Sequence, residues 1–259
     1  TRLIIRRCNE IDYKCVLQSV CGCLDKMEEG FSPSAIILSG GPQSVFEDQT
    51  NYAPIFNLEI PILGICYGMQ LMAQYFGGTV EKGILGEYGK TKIKNNSKIF
   101  SSIQGEFEVW MSHSDHVTVL PLDFEVTLKS HNDLVAGIIH NHKPYMGLQF
   151  HPEVAHSQNG EIILQIFLKE IAKLSPNWSD KDLLMTCENE IKQIAQTLKE
   201  GEYVLCAFSG GVDSLVAASI TSKILSKKLF CVFVDHGLLR PQDLIHMKTL
   251  KEETDLQII

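Results

Sequence analysis

Short apolar runs alternate with amphipathic stretches along most of the chain. Apolar runs, or strict alternation of apolar and polar residues, predict strands at 35–38, 60–65, 106–120, 124–139 and 145–150. Apolar residues at helical spacing predict a helix at 69–76, which ends at a Gly-Gly pair, and another at 160–174. Strands and helices that alternate in this way predict an α/β fold, in which a mainly parallel sheet is flanked by helices.

The pattern starts again after a turn-rich segment at 175–182, Ser-Pro-Asn-Trp-Ser-Asp-Lys-Asp. Beyond it, the predicted helices are 183–199, 215–225 and 243–253, and the predicted strands are 203–208, 229–234 and 256–259. We therefore expect two α/β domains, 1–174 and 183–259, joined by the linker 175–182. The second domain ends early for a parallel sheet, which typically has about five or six strands. The first domain lacks an apolar strand before its opening helix, so we expect the natural chain to extend beyond both ends.

Composition excludes several classes of protein. Hydrophobic residues make up 44% and charged residues 21%, which is ordinary for a globular protein and argues against disorder. A net charge of −8 argues against non-specific nucleic-acid binding. The chain has neither an apolar run of the roughly 18 residues that cross a bilayer nor the pattern of a secretory signal. Its eight cysteines include no Cys-x-x-Cys, so we expect reduced cysteines, a cytoplasmic protein and no membrane partner.

The segment Gly-Ile-Cys-Tyr-Gly at 64–68 has the form of a strand-to-helix elbow that carries a nucleophile. Glycines flank Cys66 because the turn is tight and neighbouring Cβ atoms would clash. At such an elbow the sulfur lies at the N-terminus of the following helix, where the helix dipole and free N–H groups favour the thiolate. Cys66 is therefore a candidate nucleophile.

A histidine and a glutamate can complete this site. His151 follows a predicted buried strand and is a candidate base, and Glu153 can accept its second N–H and hold the ring in one tautomer. The backbone N–H groups of Gly41, at the end of a neighbouring strand, and of Tyr67 are candidate oxyanion donors. A single buried cysteine is usually core, and a His-Pro-Glu turn is often a plain surface loop. The combination favours catalysis.

Three motifs resemble the signatures of class I glutamine amidotransferases: Ser-Gly-Gly-Pro at 39–42, Gly-Ile-Cys-Tyr-Gly-Met-Gln at 64–70 and Phe-His-Pro-Glu-Val at 150–154. The resemblance implies a flavodoxin-like fold and a glutaminase that releases ammonia to a synthase. It makes Cys66 the nucleophile, His151 the base and Glu153 the orienting acid. It also places Gln70 at the glutamine and Gly41 in the oxyanion hole. The family's first strand, before a helix resembling 1–10, is absent from this sequence.

A second glycine-rich motif, Ser-Gly-Gly-Val-Asp-Ser at 209–214, lies between a predicted strand and a predicted helix. Two glycines allow backbone N–H groups to surround an anion, and the helix N-terminus adds its positive end. Asp213 suits a magnesium ion held between phosphates. The Gly-Lys-Ser/Thr ending of a Walker loop is missing. A Gly-Gly pair by itself would usually be only a turn.

The whole string resembles the pyrophosphate loop of N-type ATP pyrophosphatases, a family with an adenine-nucleotide-hydrolase-like fold that cleaves ATP to AMP and pyrophosphate. The resemblance implies ATP as a substrate, Mg²⁺ at Asp213 and contact of Val234 with adenine. The positions that match the loop are Ser209, Gly210, Gly211, Val212, Asp213, Ser214 and Leu215.

The segments 233–240, Phe-Val-Asp-His-Gly-Leu-Leu-Arg, and 110–115, Trp-Met-Ser-His-Ser-Asp, resemble those of the GMP synthetase family. That resemblance implies that glutamine, XMP and ATP are substrates and that Arg240 contacts XMP. It also implies a homodimer formed through a C-terminal part that is not in this sequence. Without the family resemblance, Arg240 would be interpreted as a solvated surface charge. The remaining histidines show no metal-ligand spacing.

Two other classes of protein fit part of the pattern. A non-catalytic binding or regulatory protein could keep the fold, although Cys66, His151 and the loop residues are all intact. A cysteine hydrolase of different specificity would account for the elbow but would leave 203–240 unexplained. A glutaminase assay distinguishes a non-catalytic binding or regulatory protein from a glutamine-hydrolysing enzyme.

Overall fold

A computed structural model describes residues 1–259, apart from the side chains of residues 84 and 85. The chain divides into two compact units, unit 1 from Thr1 to Trp178 and unit 2 from Ser179 to Ile259. No helix of the described chain is both long and apolar enough to cross a membrane.

Unit 1 combines five α-helices with seven strands. Its helices are α1 (Arg2–Glu10), α2 (Val20–Glu28), α3 (Ala53–Phe56), α4 (Tyr67–Tyr75) and α5 (Gly160–Gln165), the last continued by a π-helical segment, Ile166–Ile171. Its strands are β1 (Ile36–Leu38), β2 (Ile62–Ile65), β3 (Thr79–Asn95), β4 (Glu106–Val119), β5 (Phe124–Ser130), β6 (Val135–His140) and β7 (Tyr145–Leu148). The α/β class predicted from the sequence is confirmed.

The seven strands form one mixed sheet in the order β1-β2-β7-β6-β5-β3-β4. The pairs β1–β2 and β2–β7 are parallel, whereas the other four pairs are antiparallel, so the sheet is less parallel than the sequence predicts. Strand β4 shows why part of the sheet is antiparallel. Its buried and exposed residues alternate, which is typical of an antiparallel strand with one solvated face. The parallel part of the sheet carries the candidate site.

Hydrophobic cores cover both faces of this sheet. On β2, Leu63 and Ile65 belong to the core that includes α1 and the segment 163–172, while Ile62 belongs to the core that includes α3 and α4. All three side chains are fully buried. A strand buried on both faces reads as a continuous apolar run, which is why β2 was predictable from the sequence.

Unit 1 differs from the sequence predictions at the four-residue helix α3, which was not predicted, and in three longer regions. The predicted strand 124–139 is two strands, β5 and β6, separated by a turn in which Asp133 has a φ of 60°. The long strand β3 was not predicted, because its glycines and frequent lysines resemble a loop. Helix α2 was also not predicted, since none of its residues is fully buried and it has no clear apolar stripe.

Unit 2 contains the helices α6 (Asp180–Thr197), α7 (Val212–Leu225) and α8 (Pro241–Glu253) and the parallel strands β8 (Val204–Ala207) and β9 (Leu229–Val232). The predicted strand at 256–259 lies parallel to the end of β9, with Ile258 opposite Cys231, and backbone hydrogen bonds join Gln257 and Ile259 to residues 231 and 233. Leu256 and Ile258 are buried in the core of this unit.

Candidate active site

The elbow between β2 and α4 holds Cys66 in a strained conformation. Cys66 has a φ of 51°, in the left-handed region that a residue with a side chain rarely adopts. A Cβ atom on Gly64 would lie 2.5 Å from Gly68 O, and one on Gly68 would lie 2.2 Å from Leu38 O. Both flanking positions therefore exclude any side chain, which is the reason for glycine that the sequence suggested. Strain of this kind is typical of functional turns.

His151 and Glu153 lie beside the nucleophile. Nδ1 of His151 is 2.9 Å from Oε1 of Glu153, and the Glu153 side chain is buried. A Cβ atom on Gly40 would lie 2.7 Å from Cε1 of His151 and 3.4 Å from Cβ of Cys66, so the imidazole and the cysteine border the same glycine. The three residues predicted as a triad are thus brought together.

The electrostatics of His151 favour the imidazolium. Burial lowers the pKa of His151, but hydrogen bonds to Cys66 and Glu153 and the negative charge of both partners raise it, with a net result of about 10. A cation on His151 stabilises a thiolate on Cys66, which is the reactive form of the sulfur.

A cavity of about 220 Å³ opens at the sulfur. Its wall contains Gly41 and Tyr67, the two predicted oxyanion donors, together with Gln70. Tyr67 is the first residue of α4, so its N–H has no partner within the helix and remains available to an anion. Gly41 follows β1, which pairs with β2, and this pairing places the two donors on neighbouring elements.

The amide of Gln70 is held by the protein. Its Nε2 donates to Asp115 O at 2.8 Å and to Oε1 of Gln149 at 3.3 Å, and the side chain is buried. Gln149, which sequence reasoning missed, also directs its Nε2 toward Sγ of Cys66 at 3.7 Å. Its position immediately before the Phe-His-Pro-Glu motif was the only signal in the sequence.

A further missed residue supports the histidine. Oγ of Ser157 donates to the carbonyl of His151 and accepts from Trp110 N at 3.0 Å, and His151 N donates to Trp110 O at 3.2 Å. Strand β4 and the loop after β7 are therefore joined by hydrogen bonds at the histidine. No sequence pattern indicates this link, because its members are more than 40 residues apart.

The predicted phosphate loop of unit 2 connects β8 to α7. Gly210 has a φ of 77°, a conformation suited to glycine, and Gly211 caps the helix. Oγ of Ser209 lies 3.1 Å from Oγ of Ser214 and accepts from Gly211 N at 3.3 Å, which folds the loop onto the first turn of the helix. Val212, Asp213, Ser214 and Leu215 form the first turn of α7.

A cavity of about 390 Å³ adjoins this loop and is lined by Ser209, Gly210, Gly211, Phe233, Leu239, Asp243 and His246. His246 places Nε2 3.1 Å from Gly210 O, a contact that sequence reasoning did not foresee. The side chain of Arg240 is instead paired with Asp243 at 2.9 Å and is exposed, as is Val234. Among the fully described residues, no cluster of three or more His, Cys, Asp or Glu side chains forms a metal site.

Comparison with known proteins points to one family. The profile of class-I glutamine amidotransferases matches residues 1–171. The chain is 43% identical to the glutamine-hydrolyzing GMP synthase of Mesoplasma florum and 40% identical to that of Caldicellulosiruptor saccharolyticus. Each match covers 100% of this chain and 50% of the relative, so the chain spans about half the length of these relatives. A solved structure of a candidate GMP synthase subunit from Thermoplasma acidophilum is 32% identical, with a TM-score of 0.57, and the match covers 66% of this chain and 87% of that one.

Proposed function

The chain belongs to the class-I glutamine amidotransferase family, and on this premise we propose that unit 1 hydrolyses glutamine with Cys66, His151 and Glu153. The observation that carries the proposal is the strained nucleophile elbow beside a buried His–Glu pair, at the mouth of a cavity of about 220 Å³. A cavity of this size fits a small metabolite better than a peptide or a drug-sized ligand.

The first half-reaction forms a thioester. The thiolate of Cys66 attacks the side-chain carbonyl carbon of glutamine, the C–S bond forms, and the carbonyl π electrons move to oxygen. The N–H groups of Gly41 and Tyr67 stabilise this oxyanion. When the intermediate collapses, the C–N bond breaks and the imidazolium of His151 gives its proton to the departing nitrogen, which leaves as ammonia.

The second half-reaction restores the enzyme. Neutral His151 takes a proton from water, and the resulting hydroxide attacks the thioester carbon. The C–S bond breaks, the new carboxyl group gives its proton to water as glutamate leaves, and the thiolate–imidazolium pair forms again. Glu153 keeps Nδ1–H of His151 oriented throughout, so that Nε2 serves as both acid and base.

The ammonia is used in the synthesis of GMP. Unit 2 is an N-type ATP pyrophosphatase domain whose loop at 209–215 binds ATP and pyrophosphate, with Val234 at the adenine and Arg240 at XMP. ATP adenylates XMP with release of pyrophosphate, and ammonia displaces AMP to form GMP. The sequence likeness to two glutamine-hydrolyzing GMP synthases supports this reaction, and the cavity of about 390 Å³ beside the loop supports a nucleotide site.

Magnesium fits Asp213. A single carboxylate in the first turn of α7, beside a glycine-rich loop, is the kind of ligand that Mg²⁺ combines with phosphate oxygens and water. Bound there, the ion would offset phosphate charge. Arg240 would have to exchange its ion pair with Asp243 for one with XMP, which requires little energy because the pair is exposed. Assembly as a homodimer belongs to the same proposal and follows the family resemblance.

The test uses the complete polypeptide and two nitrogen sources. Cys66→Ala should abolish GMP formation from glutamine, because no other group can form the thioester, and should leave formation from ammonium within about twofold of the parent protein. Cys231→Ala is the matched control, since Cys231 is also buried and reduced but lies in unit 2. Equal loss with both nitrogen sources in a folded Cys66→Ala protein would overturn the two-site proposal.

A further inference from the structure

A carboxylate outside the triad is joined by hydrogen bonds to the residue that follows the nucleophile. Oδ2 of Asp48 accepts from the phenol of Tyr67 and, at 2.9 Å, from the phenol of Tyr52. Oδ1 of Asp48 accepts from Thr50 N at 2.8 Å. Neither the catalytic mechanism nor the glutamine cavity uses Asp48, and no sequence motif singles it out.

The location of Asp48 gives this network a consequence for catalysis. The two proposed oxyanion donors come from different elements, Gly41 from the loop after β1 and Tyr67 from the start of α4. Asp48 lies on the same loop as Gly41, seven residues further along. The hydrogen bond that the phenol of Tyr67 donates to Asp48 therefore links the loop that carries one oxyanion donor directly to the residue that supplies the other.

Two other contacts fix the position of the loop after β1, which carries Gly41 and Asp48. Val45 is buried in the core that includes α4. Ser44 donates to Oδ2 of Asp115 at 2.6 Å, which anchors the loop to β4. Because these two anchors lie between Gly41 and Asp48, a change at Asp48 alters the link to α4 more than the path of the loop.

The protonation states of Asp48 and Tyr67 favour the hydrogen bond between them. Hydrogen bonds from Thr50 and Tyr67 hold the pKa of Asp48 well below its usual range, so the carboxylate is charged at neutral pH. Burial, and then the neighbouring Asp48, raise the pKa of Tyr67, so its hydroxyl keeps its proton and remains a donor. A phenol that donates to a carboxylate makes a charge-assisted hydrogen bond, about twice as strong as a neutral one.

We propose that Asp48 is a positioning residue for the oxyanion hole: through the phenol of Tyr67 it sets the spacing between the N–H groups of Tyr67 and Gly41. This role presupposes the glutaminase function proposed above. Asp48 touches no reacting atom and acts only through Tyr67. Transition-state donors are sensitive to small displacements, and a shift of about 1 Å can lower a rate about 100-fold.

Tyr67→Phe in the complete polypeptide tests the link, because it removes one hydroxyl and keeps the ring and the backbone N–H. We expect kcat for glutamine hydrolysis to fall about 10- to 100-fold with KM changed less than about threefold. Tyr75→Phe is the matched control. Tyr75 lies on the same helix and donates to Oδ1 of Asn57 at 3.0 Å, at the opposite end of the helix from the oxyanion hole, so kcat should stay within about twofold.

Alkylation of Cys66 by iodoacetamide separates positioning from general damage. This displacement develops no oxyanion, so Tyr67→Phe should alkylate Cys66 within about twofold of the parent rate. A loss of structure at the elbow would instead change the alkylation rate as well, because it would alter both the access to Cys66 and its environment. Asp48→Ala should lower kcat like Tyr67→Phe, and the double variant should be no slower than Asp48→Ala, because both changes break the same bond.

Several results would overturn the inference. These are an unchanged kcat in Tyr67→Phe, an alkylation rate of Cys66 more than about twofold away from the parent rate, a rise in KM alone, or multiplicative losses of kcat in the double variant. Failure of the proposed function would look different, because the parent protein itself would then release no glutamate from glutamine.

Discussion

Replacing Glu153 by Gln isolates the negative charge of the triad. Glutamine has the shape of glutamate and keeps an oxygen that can accept Nδ1–H of His151, which lies 2.9 Å from the carboxylate. The charge of Glu153 is one of the factors that raise the pKa of His151 to about 10. Losing an opposite charge at this distance should lower that pKa by about one to two units.

The sign of the effect follows from the chemistry. The imidazolium of His151 must protonate the departing ammonia, so activity is lost as pH rises through the His151 pKa. In the parent protein, kcat/KM for glutamine should decline near pH 10, and in Glu153→Gln the decline should move to about pH 8–9. At neutral pH, kcat should fall by about 10²- to 10⁴-fold, because the imidazolium of His151 loses the negative charge that stabilises it.

Glu153→Gln should also make the folded protein less stable, and this effect should depend on pH. A histidine whose pKa is raised by folding stabilises the protein fully below its unfolded pKa of about 6.5, and this stabilisation disappears as pH rises through about 10. Glu153→Gln should therefore lower the free energy of unfolding by about 1–3 kcal/mol near pH 6 and by much less near pH 10.

The assay is glutamate release across about pH 6 to pH 11, together with denaturant unfolding at both ends of that range. Glu161→Gln is the matched control, because Glu161 is exposed on α5 and its replacement removes the same charge. An alkaline limb that stays in place in Glu153→Gln, or moves to higher pH, would refute the reasoning. So would an equal shift in Glu161→Gln.

Three further predictions concern other parts of the chain. Asp213→Asn should reduce GMP formation by more than about tenfold with either glutamine or ammonium, since both routes need the nucleotide site, and normal conversion of ATP to AMP would contradict it. Gly68→Ala should abolish glutamate release and lower the melting temperature, because its new Cβ would lie 2.2 Å from Leu38 O; an active, equally stable variant would disprove the close approach. Phe167→Ala, in the fully buried core beneath the sheet, should lower the free energy of unfolding by about 3–5 kcal/mol in denaturant titration, and a loss below about 1 kcal/mol would contradict that packing.

The parallel part of the fold and the motifs of the proposed triad could be recognised in the sequence because their signals are local. β2 is a continuous apolar run, and the glycines around Cys66 mark a turn that tolerates no Cβ atom. Likewise, the short spacing between His151 and Glu153 allows one loop to present both side chains. The proposed phosphate loop at 209–214 could be recognised for the same reason, since its glycines and the start of α7 are consecutive in sequence.

The antiparallel half of the sheet was less predictable. Strand β3 pairs with both β4 and β5, although Thr79–Asn95 reads as a polar, glycine-containing segment. Its stability comes from pairing with these separate strands rather than from its own residues, so tertiary pairing overrides local preference. The Asn132-Asp133 pair between β5 and β6 was a local turn signal, and it indicated that the predicted strand 124–139 should be divided into two strands.

The sequence by itself determined the α/β class and the glycine-flanked elbow at Cys66, and it indicated a candidate triad, because each of the motifs involved is made of residues that are neighbours along the chain. Only the tertiary structure decided what surrounds them: Gln149 beside the sulfur, Ser157 at the carbonyl of His151 and Asp48 at the phenol of Tyr67. Asp48 and Tyr67 are 19 residues apart, and Gln149 and Cys66 are 83 apart. Hydrogen bonds over such separations form only after the sheet and helices have packed, so no local pattern of residues encodes them.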